Sequence, residues 1–222
     1  ALAGYTDEEI SSLGIEIDDY YNVEHVKSPQ NGNARYYLEG TKENPITIAS
    51  YGEGESRPTL TNGNDPWSPG AVVSIRNSSG VVVRDLKVDV YSTSRFQLNH
   101  QTGGIFFRYE YVGDKKFSNI YIVNNVVRGY DYNGKNLDED TDILGINITS
   151  LEQTHDGSPL EMLTGAWVLN NEVSYCGRVG IRVGGWINEG GGQNEMHRNK
   201  YVDVHLDGNV VHHIGGLGMY IL

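Results

Sequence analysis

The sequence predicts an all-β fold, a right-handed parallel β-helix solenoid. Three observations predict it: a strand motif recurring every 38 to 46 residues, a second motif keeping a similar interval, and 28 Gly against 6 Pro in 222 residues. Abundant Gly with scarce Pro suits many strands and tight turns better than a helical bundle.

The first motif reads apolar, x, x, Asn, x, Val. It appears as Val83 to Val88, Ile122 to Val127, Val168 to Val173 and Leu206 to Val211, with Leu86 replacing Asn in the first copy. Steps from Leu86 to Asn125, Asn171 and Asn209 are 39, 46 and 38 residues. The second motif begins Gly-apolar at Gly104, Gly145, Gly180 and Gly218, with steps of 41, 35 and 38. Two independent series with one period are what successive turns of a coil produce. A four- to six-residue strand cannot bury its apolar face alone, and stacking copies about 4.8 Å apart gives it partners.

Within that coil Val83, Ile122, Val168 and Leu206 form one inward ladder. Val88, Val127, Val173 and Val211 form another. Asn125, Asn171 and Asn209 stack at the bend between sheets, where each amide can bond backbone and the Asn of the next turn. Asn also tolerates a left-handed backbone at such a corner. Ile46 to Tyr51 and Val72 to Ile75 read as an earlier turn. Variable loops fall at about 89–102, 128–143, 151–165 and 186–201, the usual places for sites on a rigid solenoid.

The organisation is an N-terminal cap region, 1–40, and a parallel β-helix, 41–222. Thr6 with Glu9 forms a capping box, and Gly14 can end a short helix that covers the open edge of the coil. The chain stops inside a strand unit at Leu222, so an incomplete C-terminal end is expected, with further chain or a subunit covering it.

Net charge is −12, which argues against nucleic acid, whose phosphates need clustered Lys and Arg. No run of about 20 apolar residues spans a membrane. No signal peptide is visible. One cysteine, Cys176, excludes an intrachain disulfide framework. Tyr, at 15, outnumbers Phe, at 4, which suits a half-wet surface that meets sugar rings.

Outward residues of successive turns line up in columns. Phe106, Asn147, Arg182 and Tyr220 share one offset, and Tyr175 and His213 share another, with Arg178 nearby. These are the candidate substrate-binding residues, with Arg182 and His213 also candidates for chemistry. The densest carboxylate run is Asp138, Glu139, Asp140 and Asp142. Two such carboxylates, Asp140 and Asp142, can serve as acid and nucleophile or base in glycoside hydrolysis. Asp138, Asp140 and Asp142 can instead hold calcium through oxygen ligands; otherwise no cofactor is expected. A solvated charge run is the plain alternative. Asn77 and Asn147 begin N-glycosylation triplets.

Segments 44–58 (NPITIASYGEGESRP), 80–88 (GVVVRDLKV), 119–127 (NIYIVNNVV) and 202–221 resemble repeat units of secreted bacterial carbohydrate-active β-helix proteins, the pectate-lyase-like superfamily. The resemblance covers about residues 40 to 222. It implies a secreted or cell-surface protein that meets a polysaccharide or oligosaccharide. The paired-Asp and Gly-His-Gly signatures of polygalacturonases are missing, Asp140-Thr141-Asp142 being a loose echo, and no pectate-lyase-type Arg motif stands out. The expected function is a polysaccharide-degrading glycoside hydrolase. A calcium-assisted polysaccharide lyase and a non-catalytic adhesin, tailspike or assembly module are the alternatives.

Overall fold

The computed structural model describes residues 26–27, 34–35, 39–50, 57–62, 71–92, 102–109, 116–131, 143–150, 161–184 and 200–221. The expected helix at Thr6 to Gly14 lies outside them. The chain forms two units, Ala1–Leu38 and Glu39–Leu222. In the first, β1 (Val26–Lys27) pairs antiparallel with β2 (Ala34–Arg35).

In the second unit, every turn contributes one strand to each of three sheets. The first turn holds β3 (Ile46–Ala49), β4 (Thr59–Thr61) and β5 (Ala71–Arg76), and the next holds β6 (Val81–Arg84), β7 (Lys87–Ser92) and β8 (Thr102–Tyr109). Then follow β9 (Phe117–Val123), β10 (Val126–Asp131) and β11 (Ile143–Ser150), and β12 (Glu161–Leu169), β13 (Glu172–Ser174) and β14 (Val179–Val183). The last described turn holds β15 (Lys200–Asp207), β16 (Val210–His212) and β17 (Leu217–Ile221). The first sheet is β3-β6-β9-β12-β15, the second β4-β7-β10-β13-β16 and the third β5-β8-β11-β14-β17, all parallel. This is a parallel β-helix, all-β among the described residues.

Both expected inward ladders are in register. Val83 pairs with Ile122, Ile122 with Val168 and Val168 with Leu206; Val88 pairs with Val127, Val127 with Val173 and Val173 with Val211. The ladder side chains of the middle turns, Val83, Val88, Ile122, Val127, Val168 and Val173, are fully buried. In the last turn Val202, Val210, Leu217, Met219 and Ile221 are exposed. Strands claim part of all four expected loops: β7 runs to Ser92, β10 to Asp131, β12 begins at Glu161 and β15 at Lys200. The three-residue strand β4 was not expected from sequence, because three residues carry too little alternation to read.

The Asn ladder forms at the bend between the first and second sheets. Asn125 donates its backbone N–H and Nδ2 to Asn171 Oδ1 at 2.9 and 3.0 Å, and Asn171 donates likewise to Asn209 Oδ1 at 3.0 and 3.0 Å. Each Nδ2 also reaches a carbonyl of the preceding turn: Val83 O, Ile122 O and Val168 O. Leu86 has no amide, but its N–H still donates to Asn125 Oδ1 at 3.1 Å. The left-handed residue at this corner is not the ladder Asn but the one before it: Asp85, Asn124, Asn170 and Gly208, at φ of 58, 55, 55 and 64°. The sharp bend falls on that residue, which leaves the ladder Asn free to point inward.

A second left-handed column lies five residues earlier, at Gly80, Asn119, Gly165 and Asp203, with φ of 61, 57, 82 and 59°. This column precedes β6 and falls inside β9, β12 and β15, and in every turn it uses residue types that bear positive φ at low cost.

Candidate functional site

Ile105, Ile146 and Ile181 lie on the core side of the third sheet, and the residue that follows each of them points to the outer side. The predicted column is in register there: Phe106 pairs with Asn147, Asn147 with Arg182 and Arg182 with Tyr220. It is largely covered. Phe106 and Asn147 are wholly buried and Arg182 is 6% exposed, while Tyr220 is half-buried. Phe106, Leu144 and Val179 pack together with Ala71 and Tyr220 against them. Strands β8 and β11 are buried on both faces, the common condition of parallel strands.

Two features stand out on that face. Neither Oδ1 nor Nδ2 of buried Asn147 has a hydrogen-bond partner among the described residues. The Arg182 guanidinium lies 5.9 Å from the Tyr220 ring centroid. Burial lowers the pKa of Arg182, neighbouring Arg178 lowers it further, and Tyr220 and Tyr201 act the other way. Burial pushes the Tyr201 phenol up to about 12, with Ser150 opposing. Arg108 stands 5.2 Å over Phe106, and burial, then Arg76, lowers its pKa. The five strands of this sheet carry Arg76, Arg108 and Arg182 and no Asp or Glu, in a chain of net charge −12.

The second expected grouping also comes together. Tyr175 and His213, both left-handed corner residues at φ 58 and 53°, stack at 4.8 Å with 22° between planes. Arg128 lies 5.5 Å over Tyr175. His212 Nδ1 is 2.6 Å from His213 Nδ1, and its Nε2 is 3.5 Å from Glu172 Oε1. Arg178 immediately precedes β14, three residues after Tyr175; the Leu217 N–H donates to its carbonyl and Arg178 itself is half-buried.

Asp138, Glu139, Asp140 and Asp142 lie outside the described residues. Among the described residues no group of three or more His, Cys, Asp and Glu is placed to hold a metal ion, and no helix is long and apolar enough to cross a membrane. Both triplet asparagines, Asn77 and Asn147, are buried in the folded chain.

Sequence reasoning missed a stacked column on the outer face of the first sheet. Tyr121 and Trp167 stack at 4.6 Å and 8°, and Trp167 and His205 at 5.6 Å and 3°. His205 Nε2 is 2.7 Å from Asp203 Oδ1. The signal was available: each ring precedes a member of the ladder Ile122, Val168, Leu206 by one residue. Arg128 and His212 were likewise one residue past the aligned Val127 and Val211. Because Tyr121, Trp167 and His205 cover one another's faces, the column offers edges, not open platforms, to a ligand.

No protein-family model, curated protein or solved structure matches this chain.

Proposed function

We propose that this chain is a secreted, right-handed parallel β-helix enzyme that binds and cleaves an acidic extracellular polysaccharide. The right hand follows from the chirality of parallel crossovers. Secretion and the carbohydrate partner rest on the repeat resemblance. The observation that supports the acidic substrate is Arg182, 5.9 Å from the Tyr220 ring centroid, with Arg178 near enough to act on its charge. Two guanidinium groups in a partly dry place favour an anion, and Arg meets a carboxylate with two parallel N–H donors. Tyr220 adds an amphipathic ring suited to a sugar.

Hydrolysis through Asp140 and Asp142, the first expectation from sequence, belongs to residues outside those described. The arginines support the alternative, β-elimination from a uronate. Arg182 then draws charge from the uronate carboxylate and eases removal of the proton on the adjacent carbon. His213, an exposed imidazole with a ring nitrogen that can accept a proton, is the candidate base for that step. Calcium at Asp138, Asp140 and Asp142 would assist the same neutralisation.

The test is incubation with uronate-containing and neutral polysaccharides, reading unsaturated ultraviolet-absorbing ends beside reducing ends, with and without a chelator. Unsaturated ends from uronate polymers are expected. Reducing ends without unsaturation restore the hydrolase reading. Binding without cleavage restores the adhesin or tailspike reading.

A further inference from the structure

We propose that Glu172, His212 and His213 form a carboxylate–imidazole–imidazole relay that presents His213 Nε2 as a proton acceptor toward a sugar ring of the polysaccharide. This rests on the function proposed above.

The argument starts from protons. Two imidazole nitrogens 2.6 Å apart cannot both bear lone pairs, nor both bear hydrogens, so one proton lies between His212 Nδ1 and His213 Nδ1. The other nitrogen of His212 faces Glu172 Oε1 at 3.5 Å. A carboxylate only accepts, so it favours hydrogen on His212 Nε2. In neutral His212 the Nδ1 is then the acceptor, and the shared proton belongs to His213 Nδ1. That leaves the lone pair of His213 on Nε2, and His213 is exposed.

Backbone and neighbours hold this arrangement. Glu172 opens β13, and Ser174 of that strand pairs in register with His212 of β16. His213 follows at φ 53°, so the two rings leave a corner and meet almost edge to face, 4.9 Å apart at 80°. Tyr175 covers one face of His213, meets His212 edge-on at 6.1 Å, and has Arg128 over it. Among the described residues, the titratable and charged groups facing the pair are therefore Glu172, Tyr175 and Arg128, from β13, its following corner and β10.

When His213 Nε2 takes a proton, its Nδ1 proton can pass to His212 Nδ1. Positive charge then sits on His212, between His213 and the Glu172 carboxylate. His213 is the group that touches the sugar; His212 and Glu172 are positioning residues.

The experiment is nitrogen NMR of the histidine rings in the full labelled chain, beside pH profiles of polysaccharide cleavage. His213 is expected as the Nδ1–H tautomer, with scalar coupling across the two Nδ1 atoms. His212→Asn and Glu172→Gln each return His213 to the commoner Nε2–H tautomer. Each also lowers kcat/KM by roughly 10- to 100-fold with KM little changed, and both move the acidic limb of the pH profile. A wild-type His213 already in the Nε2–H form overturns the relay even if cleavage is seen. The coupled Nδ1–H tautomer in a chain that cleaves nothing keeps the relay and overturns the enzymatic reading instead.

Discussion

Val173 fills the space beside Gly145. A β-carbon on Gly145 would lie 2.3 Å from Val173 Cγ1 and 2.5 Å from the Gly180 carbonyl oxygen. Gly104 stands the same way to Val127, and Gly180 to Val211, so the Gly of each turn receives the Val of the next. The two sequence series are thus two sides of one contact. Gly145→Ala must push either a buried methyl or a neighbouring strand, an overpacking cost of about 1–3 kcal/mol. Urea unfolding should show a lower midpoint at unchanged slope. Adding Val173→Ala should recover part of the loss at this site, and a strictly additive double variant would refute the interlock.

That contact explains why so much of the fold was legible. The corner between the first and second sheets spans two residues in four successive turns, so Asn125, Asn171 and Asn209 keep a fixed offset from the apolar positions either side. The other corners vary in length, which hid the position of β4 and trimmed the loops. The pair of left-handed residues in each turn was also readable as Gly, Asn or Asp recurring five apart: 80 and 85, 119 and 124, 165 and 170, 203 and 208. The site was less legible. Register placed Arg182 beside Tyr220 and Tyr175 beside His213, but burial of Phe106 and Asn147 depends on what packs on the outer face, which period alone does not encode.

Asn171 joins three turns through one amide. Asn171→Leu keeps an apolar shape that Leu86 already occupies in register, yet strips partners from Asn125 N–H, Asn125 Nδ2 and Ile122 O. Each buried polar group left unpaired costs about 1–3 kcal/mol, so a loss of about 3 kcal/mol or more is expected by denaturant titration. Asn170→Gly, at the adjoining left-handed corner, should cost far less, because Gly accepts φ 55° without strain.

Cys176 is buried, and burial pushes its thiol up to about 12. Thiolate, the reactive form, is therefore scarce at pH 8. A thiol reagent should leave the native chain unlabelled and titrate one thiol after unfolding. The folded thiol holds its proton longer than the unfolded one, whose ordinary value is 9.0. The contribution to stability is thus complete below about pH 9 and declines as pH rises toward 12. Cys176→Ala should flatten that alkaline decline.

Asp85 has the opposite sign. A hydrogen bond from Asn124, with Arg84 and Arg57 adding, holds its carboxyl below the usual 3.8 despite some desolvation. Its stabilisation is present above that value and is lost as pH falls through the lower folded value. Asp85→Asn keeps a side chain that tolerates φ 58° and removes the charge. The variant should melt at a lower temperature than the parent near neutrality, and the gap should narrow as pH falls below 3.8; a gap that does not narrow would count against the ion network.

Asn147 separates folding from function. Both polar atoms of its amide are buried without a partner among the described residues, a cost that selection for stability alone would remove. Leu fills a similar volume and leaves nothing unsatisfied, so Asn147→Leu should stabilise the chain by about 1–3 kcal/mol. The same amide stands between Phe106 and Arg182 in register, on the face proposed to meet an acidic sugar. If it is kept for a ligand, the stabilised variant should bind uronate oligosaccharides at least about tenfold more weakly, the usual exchange between a strained site and a stable one. Calorimetric unfolding and binding titration on one preparation give both numbers. A variant that is more stable and binds equally well would remove Asn147 from the site and leave Arg178, Arg182 and Tyr220 to define it.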